Sequence, residues 1–362
     1  AVQQPDKVPA TLENAKNVRI RTVVDRDAAP QLQQSILDDA GIVCLSETVF
    51  DVRGWGRSGA MGSPYDNLRS GLVGEFDKPD ADAILRLAQR YIALGFGAET
   101  KALLSAFDVE IPNADILIAM ADIMDLGFSP DPGRLAAQLS CSSGAAMWAV
   151  LAGKSIPAGG QVDTKSVLKT FSGLPSPMRQ HLGPSLSKRF LDRGDVTTAT
   201  AFRDLIDRAP GARNSQYGLM QARLSAQAGD TGKSLQELRD VVAGDGPAAP
   251  LALVKLIDDS IAAGRPIAVQ TARSADALAV EFRGTEMGRR LTRAAIRGFA
   301  VTGNVQTTFE RIQTALQNDE MTRAEAESLR AEAHVRNAQD SSDAYFLRQV
   351  FKFGLSPAET SP

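Results

Sequence analysis

The sequence predicts a mainly α protein, an α-solenoid of stacked helical hairpins with a small mixed N-terminal segment. Three observations predict it. A glycine recurs where amphipathic stretches turn, at intervals of 35, 35 and 39 residues from Gly194 through Gly229 and Gly264 to Gly303. Aromatics make up only 6% of a chain of 362 residues that is 43% hydrophobic, which favours helices packed through small side chains over a sheet-rich fold. Apolar residues at helical spacing run from about residue 80 almost to the end.

Residues 1–80 read as a capping segment with minor β content. "NVRIRTVV" (17–24) and "GIVCLSETVFDV" (41–52) carry β-branched residues in partial alternation, which suits short strands. Between them "APQLQQSILDDAG" reads as one helix stopped by Gly41. "RGWGRSGAMGSP" (53–64) reads as a Gly/Ser loop. Its Trp55 is either an exposed anchor for a partner or a side chain tucked under the first hairpin.

Residues 81–350 read as the repeat array, six to eight hairpins in a right-handed superhelix, and 351–362 as a polar tail. In "KPDADAILRLAQRYIALG", Pro79 and Asp80 signal a helix start; Ile84, Leu85, Leu87, Ala88, Tyr91 and Ile92 then form an apolar face. The chain turns at Gly95–Gly97 and opens a second helix, "AETKALLSAF". Aligned on the turn glycine, "FLDRGDVTTATAF", "LSAQAGDTGKSLQEL", "SIAAGRPIAVQTA" and "FAVTGNVQTTFERI" repeat the unit, with weaker copies at Gly127 and near Gly153. A lone hairpin cannot bury its apolar stripe, so neighbours must stack and share a core.

This pattern resembles tetratricopeptide repeats, or a divergent relative, over roughly residues 80–320. In that family a small residue follows the turn glycine by five positions, as do Ala199, Ser234 and Thr308, with Thr100 and Val269 approximating it. An aromatic stands four before the glycine as Tyr91, Phe190 and Phe299, although Ser225 and Ser260 replace it in two copies. By the resemblance, the residues six before each glycine line a partner-binding groove: Gln89, Lys188, Arg223, Asp258 and Arg297. Those thirteen before, His181, Gln216 and Arg290, lie beside them. The basic excess among them suits an acidic peptide or a C-terminal carboxylate.

Charge narrows the partner class. The 40 basic and 43 acidic residues are interspersed for a net charge of −3, with no basic tract for nucleic acid. Apolar runs such as "GAAMWAVLAG" fall far short of the roughly 20 residues of a membrane span. The two cysteines, Cys44 and Cys141, are either unrelated buried thiols or one disulfide formed in an oxidising compartment. The polar start "AVQQPDKVPA" resembles the residues left after removal of a secretion signal, which points to a periplasmic or otherwise extracytoplasmic location.

Three stretches imitate catalytic motifs. "GARNSQYGLMQARLSA" (211–226) resembles the Gly-Leu-Met-Gln segment of lytic transglycosylases, which need a general-acid glutamate a little under 20 residues upstream. No glutamate stands between Glu110 and Glu237. "LAGKSIP" ends like a phosphate-binding loop, yet Trp148 occupies the position of its first glycine. "GWGRSGAMG" has glycines without the following Lys-Ser/Thr. The two histidines, His181 and His334, stand apart without a carboxylate cluster, and no Cys-x-x-Cys spacing occurs. No catalytic, cofactor-binding or metal-binding residue is therefore expected. The expected function is a non-enzymatic interaction or scaffold protein of the bacterial cell envelope, binding another protein or peptide. The competing expectations are a transglycosylase-like protein acting on peptidoglycan, or an inactive relative, and a structural subunit of a larger envelope assembly.

Overall fold

The computed structural model describes residues 41–57, 71–74, 78–208, 213–340 and 342–354. Among them are sixteen α-helices and two 3-10 helices. The described residues are mainly α; β pairing among them is limited to isolated bridge positions, Val73 with Pro79 and a further one at Val43.

The N-terminal segment departs from expectation. Instead of a strand over 41–52, an irregular stretch leads into a 3-10 turn at Glu47–Phe50, capped by Ser46. Side chains of the main body satisfy part of its backbone. Gln138, almost fully buried, accepts from Leu45 N at 2.7 Å and donates to Val43 O at 3.2 Å. Ser143 Oγ donates to Leu45 O at 3.1 Å, and Glu47 accepts from Gly144 N at 2.6 Å. The disulfide Cys44–Cys141, closing a separation of 97 residues, lies within this seam. The expected Gly/Ser loop begins instead as helix α1 (Val52–Arg57). Asp51 accepts from Gly54 N at 2.9 Å, and Val52 and Trp55 enter the core, so apolar anchoring overrides the two glycines. The expected strand at 17–24, the helix before Gly41 and the rest of the loop lie outside the described residues.

The first hairpin forms as expected. Helix α2 (Ala81–Leu94) starts at Asp80, whose carboxylate accepts from Ala83 N at 2.9 Å. It turns at Gly95 into α3 (Gly97–Ala106). Then α4 (Ala114–Leu126), a 3-10 turn (Gly133–Gln138), α5 (Ala145–Ala152) and α6 (Thr164–Gly173) follow without hairpin regularity. Gly127 has a left-handed φ of 77°, but a 3-10 turn follows it; Gly153 is extended. Neither weaker copy makes the hairpin. All eight residues of α5, "AAMWAVLA", are buried, because this helix packs against the 3-10 turn, α4, α6 and the next helix, Ser176–Asp192.

Regular hairpins resume with α7 (Ser176–Asp192) and α8 (Val196–Asp207), α9 (Ser215–Gln227) and α10 (Thr231–Ala243), α11 (Ala249–Ala262) and α12 (Val269–Glu281), and α13 (Glu286–Val301) and α14 (Val305–Gln317). Helices α15 (Arg323–Asp340) and α16 (Asp343–Phe353) close the described array, so helix reaches beyond residue 350.

The five turns share one geometry. Gly95, Gly194, Gly229, Gly264 and Gly303 all have φ between 60° and 86°. In each, the next residue's N–H bonds the carbonyl four before the glycine: Phe96 to Tyr91, Asp195 to Phe190, Asp230 to Ser225, Arg265 to Ser260 and Asn304 to Phe299, at 2.8–3.0 Å. That is the Schellman closure, which requires a left-handed residue. Thr100, Ala199, Ser234 and Thr308 are buried where helices approach. Val269 is not. The turn after Gly264 runs on to Ala268, and the buried small residue becomes Ala272, against which Gly298 of α13 packs.

Burial follows the same division. One large cluster joins Phe50 to Leu224 across α1–α9. Beyond it, three smaller clusters succeed one another around Leu219–Leu256, Leu253–Phe299 and Ile296–Ala333. Each shares elements with the next, as a solenoid requires.

Candidate functional site: a charged pocket on the first-helix face

The first helices of the hairpins carry one continuous row of ionisable side chains. Lys188 on α7, Arg223 on α9, Asp258 on α11 and Arg297 on α13 occupy equivalent positions, six before their turn glycines. Glu332 on α15 extends the row. Arg297 bridges its two neighbours, at 2.6 Å to Asp258 and 3.1 Å to Glu332, and so fixes the spacing of α11, α13 and α15.

A pocket of about 530 Å³ opens within this row, lined from α7, α9, α11 and α13. Its cause is a gap in the stacking. Helix α7 packs on α9 and α11 packs on α13, whereas α9 and α11 are joined chiefly through α10. The pocket brings together Lys188, Arg223, Asp258 and Arg290 from the sequence-expected groove, and adds Asp192, Lys255 and Asp259. Leu191, Ala226 and Leu251 supply apolar floor between the charges.

The acids are already matched. Asp192 pairs with Lys188, four residues earlier on α7. Asp259 pairs with Lys255 at 3.3 Å on α11, and Asp258 with Arg297. Burial raises the Asp258 carboxyl above its ordinary value, against the pull of Arg297. Arg223 and Arg290 differ: among the described residues neither has a carboxylate within ion-pair distance. Burial holds the Arg223 guanidinium below its ordinary value; Asp192 opposes this and Arg290 adds to it. The two arginines line the same pocket, Arg223 from α9 and Arg290 from α13.

Other expected residues lie elsewhere. Gln89 is half-buried on α2, away from the pocket. Gln216 is exposed, and His181 Nε2 lies 2.9 Å from Met124 O, at the C-terminal end of α4. Trp55 is buried in the N-terminal core, the tucked arrangement, and Arg90 donates to the Trp55 and Gly56 carbonyls. Sequence reading missed Glu332 because α15 lacks a turn glycine to align on; adding the 35-residue period to Arg297 reaches it.

Two of the look-alike stretches enter the packing, and most of the third, "GWGRSGAMG", lies outside the described residues. In "YGLMQ", Tyr217, Leu219 and Met220 are buried, and a Cβ on Gly218 would stand 2.5 Å from Val241 of α10. Tyr217 donates to Asp207 at 2.6 Å, and burial with that carboxylate pushes its hydroxyl up to about 12. At "GKS" the Gly153 carbonyl accepts from Arg189, and Lys154 stands over the Phe128 ring. No family model, no curated protein and no solved structure matches the chain.

Proposed function

We propose that this chain is a non-enzymatic binding or scaffold protein with tetratricopeptide-like hairpins, acting in the bacterial cell envelope. Its partner is another protein or peptide, received on the first-helix face. The observation that carries the reading is the pocket between α9 and α11, where a charged row shared by successive hairpins opens into a space lined from four helices. A disulfide joining the N-terminal segment to the main body supports an oxidising, extracytoplasmic compartment. Among the described residues no helix is long and apolar enough to cross a membrane.

The test is recovery of partners from native extract on immobilised wild type and on an Arg223→Glu/Arg290→Glu variant of matched thermal stability. The expected outcome is a defined set of proteins retained by the wild type and at least tenfold depleted on the variant. Equal recovery would remove the pocket from the binding surface. Release of muropeptides from peptidoglycan by the purified chain would instead establish the transglycosylase-like reading.

A further inference from the structure

The pocket's charges are unevenly satisfied, and the imbalance specifies an occupant. Lys188–Asp192 and Lys255–Asp259 are neutral pairs within single helices, and Asp258 is held by Arg297. The remaining lining cations, Arg223 and Arg290, reach the pocket from α9 and α13 without a carboxylate in ion-pair distance among the described residues. Both guanidiniums reach the same pocket from different helices, and an anion placed between them is attracted by both. A guanidinium fork suits a carboxylate, which accepts two parallel N–H bonds.

The shape of the site separates a chain from a small ion. Its lining spans four helices, whose packed neighbours stand about 8–10 Å apart and of which α9 and α11 are joined chiefly through α10, so its length exceeds what an isolated anion would use. An extended chain advances about 3.3 Å per residue, and roughly seven to nine residues would cross from α7 to α13. Leu191, Ala226 and Leu251 give such a segment apolar contacts between the charged ones.

We propose that Arg223 and Arg290 together receive a side-chain carboxylate of an acidic, extended partner segment that runs across the pocket from α7 to α13. This deepens the binding reading above and rests on it. The specificity it implies is for Asp or Glu near the middle of the segment, with neutral or small residues tolerated on either side.

The test uses the full chain and two fluorescein-labelled octapeptide pools, one with Asp or Glu fixed at the two central positions and one with Asn or Gln there. Binding is read by anisotropy at low and moderate salt. The acidic pool is expected to bind at least tenfold more tightly, and Arg223→Gln/Arg290→Gln to remove that preference. Arg223→Lys/Arg290→Lys, which keeps the charge without the fork, should fall between. Lys233→Gln/Arg239→Gln, an equal charge change on the exposed side of α10, should leave binding unchanged, and all variants should melt with the wild type. Equal binding of the two pools, or an equal loss from the α10 variant, would overturn the proposal. So would displacement of the acidic pool by inorganic phosphate at comparable concentration, which would assign the arginines to a phosphate. Loss of acid selectivity with the amide pool still bound, and displaced by Leu251→Glu, would overturn the carboxylate alone and leave the pocket as a peptide-binding surface.

Discussion

Arg189 shows how a single buried side chain can govern the join between the two halves. It stands 5% exposed on α7 and donates to three backbone carbonyls, Gly127 at 2.6 Å, Leu151 at 2.9 Å and Gly153 at 2.8 Å. Those oxygens belong to the C-terminal ends of α4 and α5, where helices leave acceptors unpaired and cations are favoured. Burial lowers its guanidinium to about 10, still charged at neutral pH. Replacing it by Met would strand three acceptors at once, and we expect a loss of about 2–4 kcal/mol in denaturant unfolding. Lysine should recover little of it, because one ammonium cannot span carbonyls on two helices. A loss under about 0.5 kcal/mol would mean that water replaces the side chain freely. Nothing in the sequence marks Arg189; it differs from neighbouring arginines only through the fold around it.

At the scale of elements, two glycines with different duties lie side by side at the first turn. Gly95 supplies the left-handed φ of 86° that closes the hairpin. Gly97 begins the next helix so close to α4 that an added Cβ would stand 2.3 Å from the Ala121 carbonyl oxygen. We expect Gly97→Ala to destabilise by about 1–3 kcal/mol through forced displacement of α4. Gly232→Ala on α10, where the nearest atom is 3.8 Å away, should be neutral or slightly stabilising by less than about 1 kcal/mol. Equal melting temperatures for the two variants would contradict the close approach. The turns were readable from sequence because Schellman closure demands a glycine and the stack demands a period. The N-terminal elements were not. "GIVCLSETVFDV" carries strand-forming residues, yet Gln138, Ser143 and Gly144 supply its hydrogen-bond partners from 90 or more positions away. Likewise Val269 held the expected position of the small residue, while the longer turn after Gly264 moved that role to Ala272. Local pattern fixes where a helix must turn, whereas the length of a turn is settled by what packs beyond it.

For the whole molecule, the disulfide joins parts with unequal support. The N-terminal segment reaches the core mainly through Phe50, Val52 and Trp55; Cys44–Cys141 holds it against the segment 138–144. Closing a loop with a separation of 97 residues should contribute about 4–5 kcal/mol in the chain-entropy model. Cys44→Ala/Cys141→Ala is therefore expected to lower the denaturant midpoint and to raise solvent exposure of Trp55, seen as a red shift in emission. An unchanged midpoint would show that the hydrogen-bonded seam suffices. Beyond α9 the clusters become smaller and successive, and the row from Lys188 to Glu332 follows that succession. The candidate site was therefore legible in part, since the period placed Lys188, Arg223, Asp258, Arg290 and Arg297 on one face. The pocket itself was not, because it arises from the separation of α9 and α11, a packing consequence that no spacing encodes.

The central claim is that a partner is received on the first-helix face. Its most direct measurement is site-specific photo-crosslinking in native cells, with the reactive group at Ala226 in the pocket or at exposed Gln236 on α10. The account predicts a discrete, heavier adduct from Ala226, abolished by Arg223→Glu/Arg290→Glu, and none from Gln236. Adducts of equal yield from both positions, or from Gln236 alone, would contradict it.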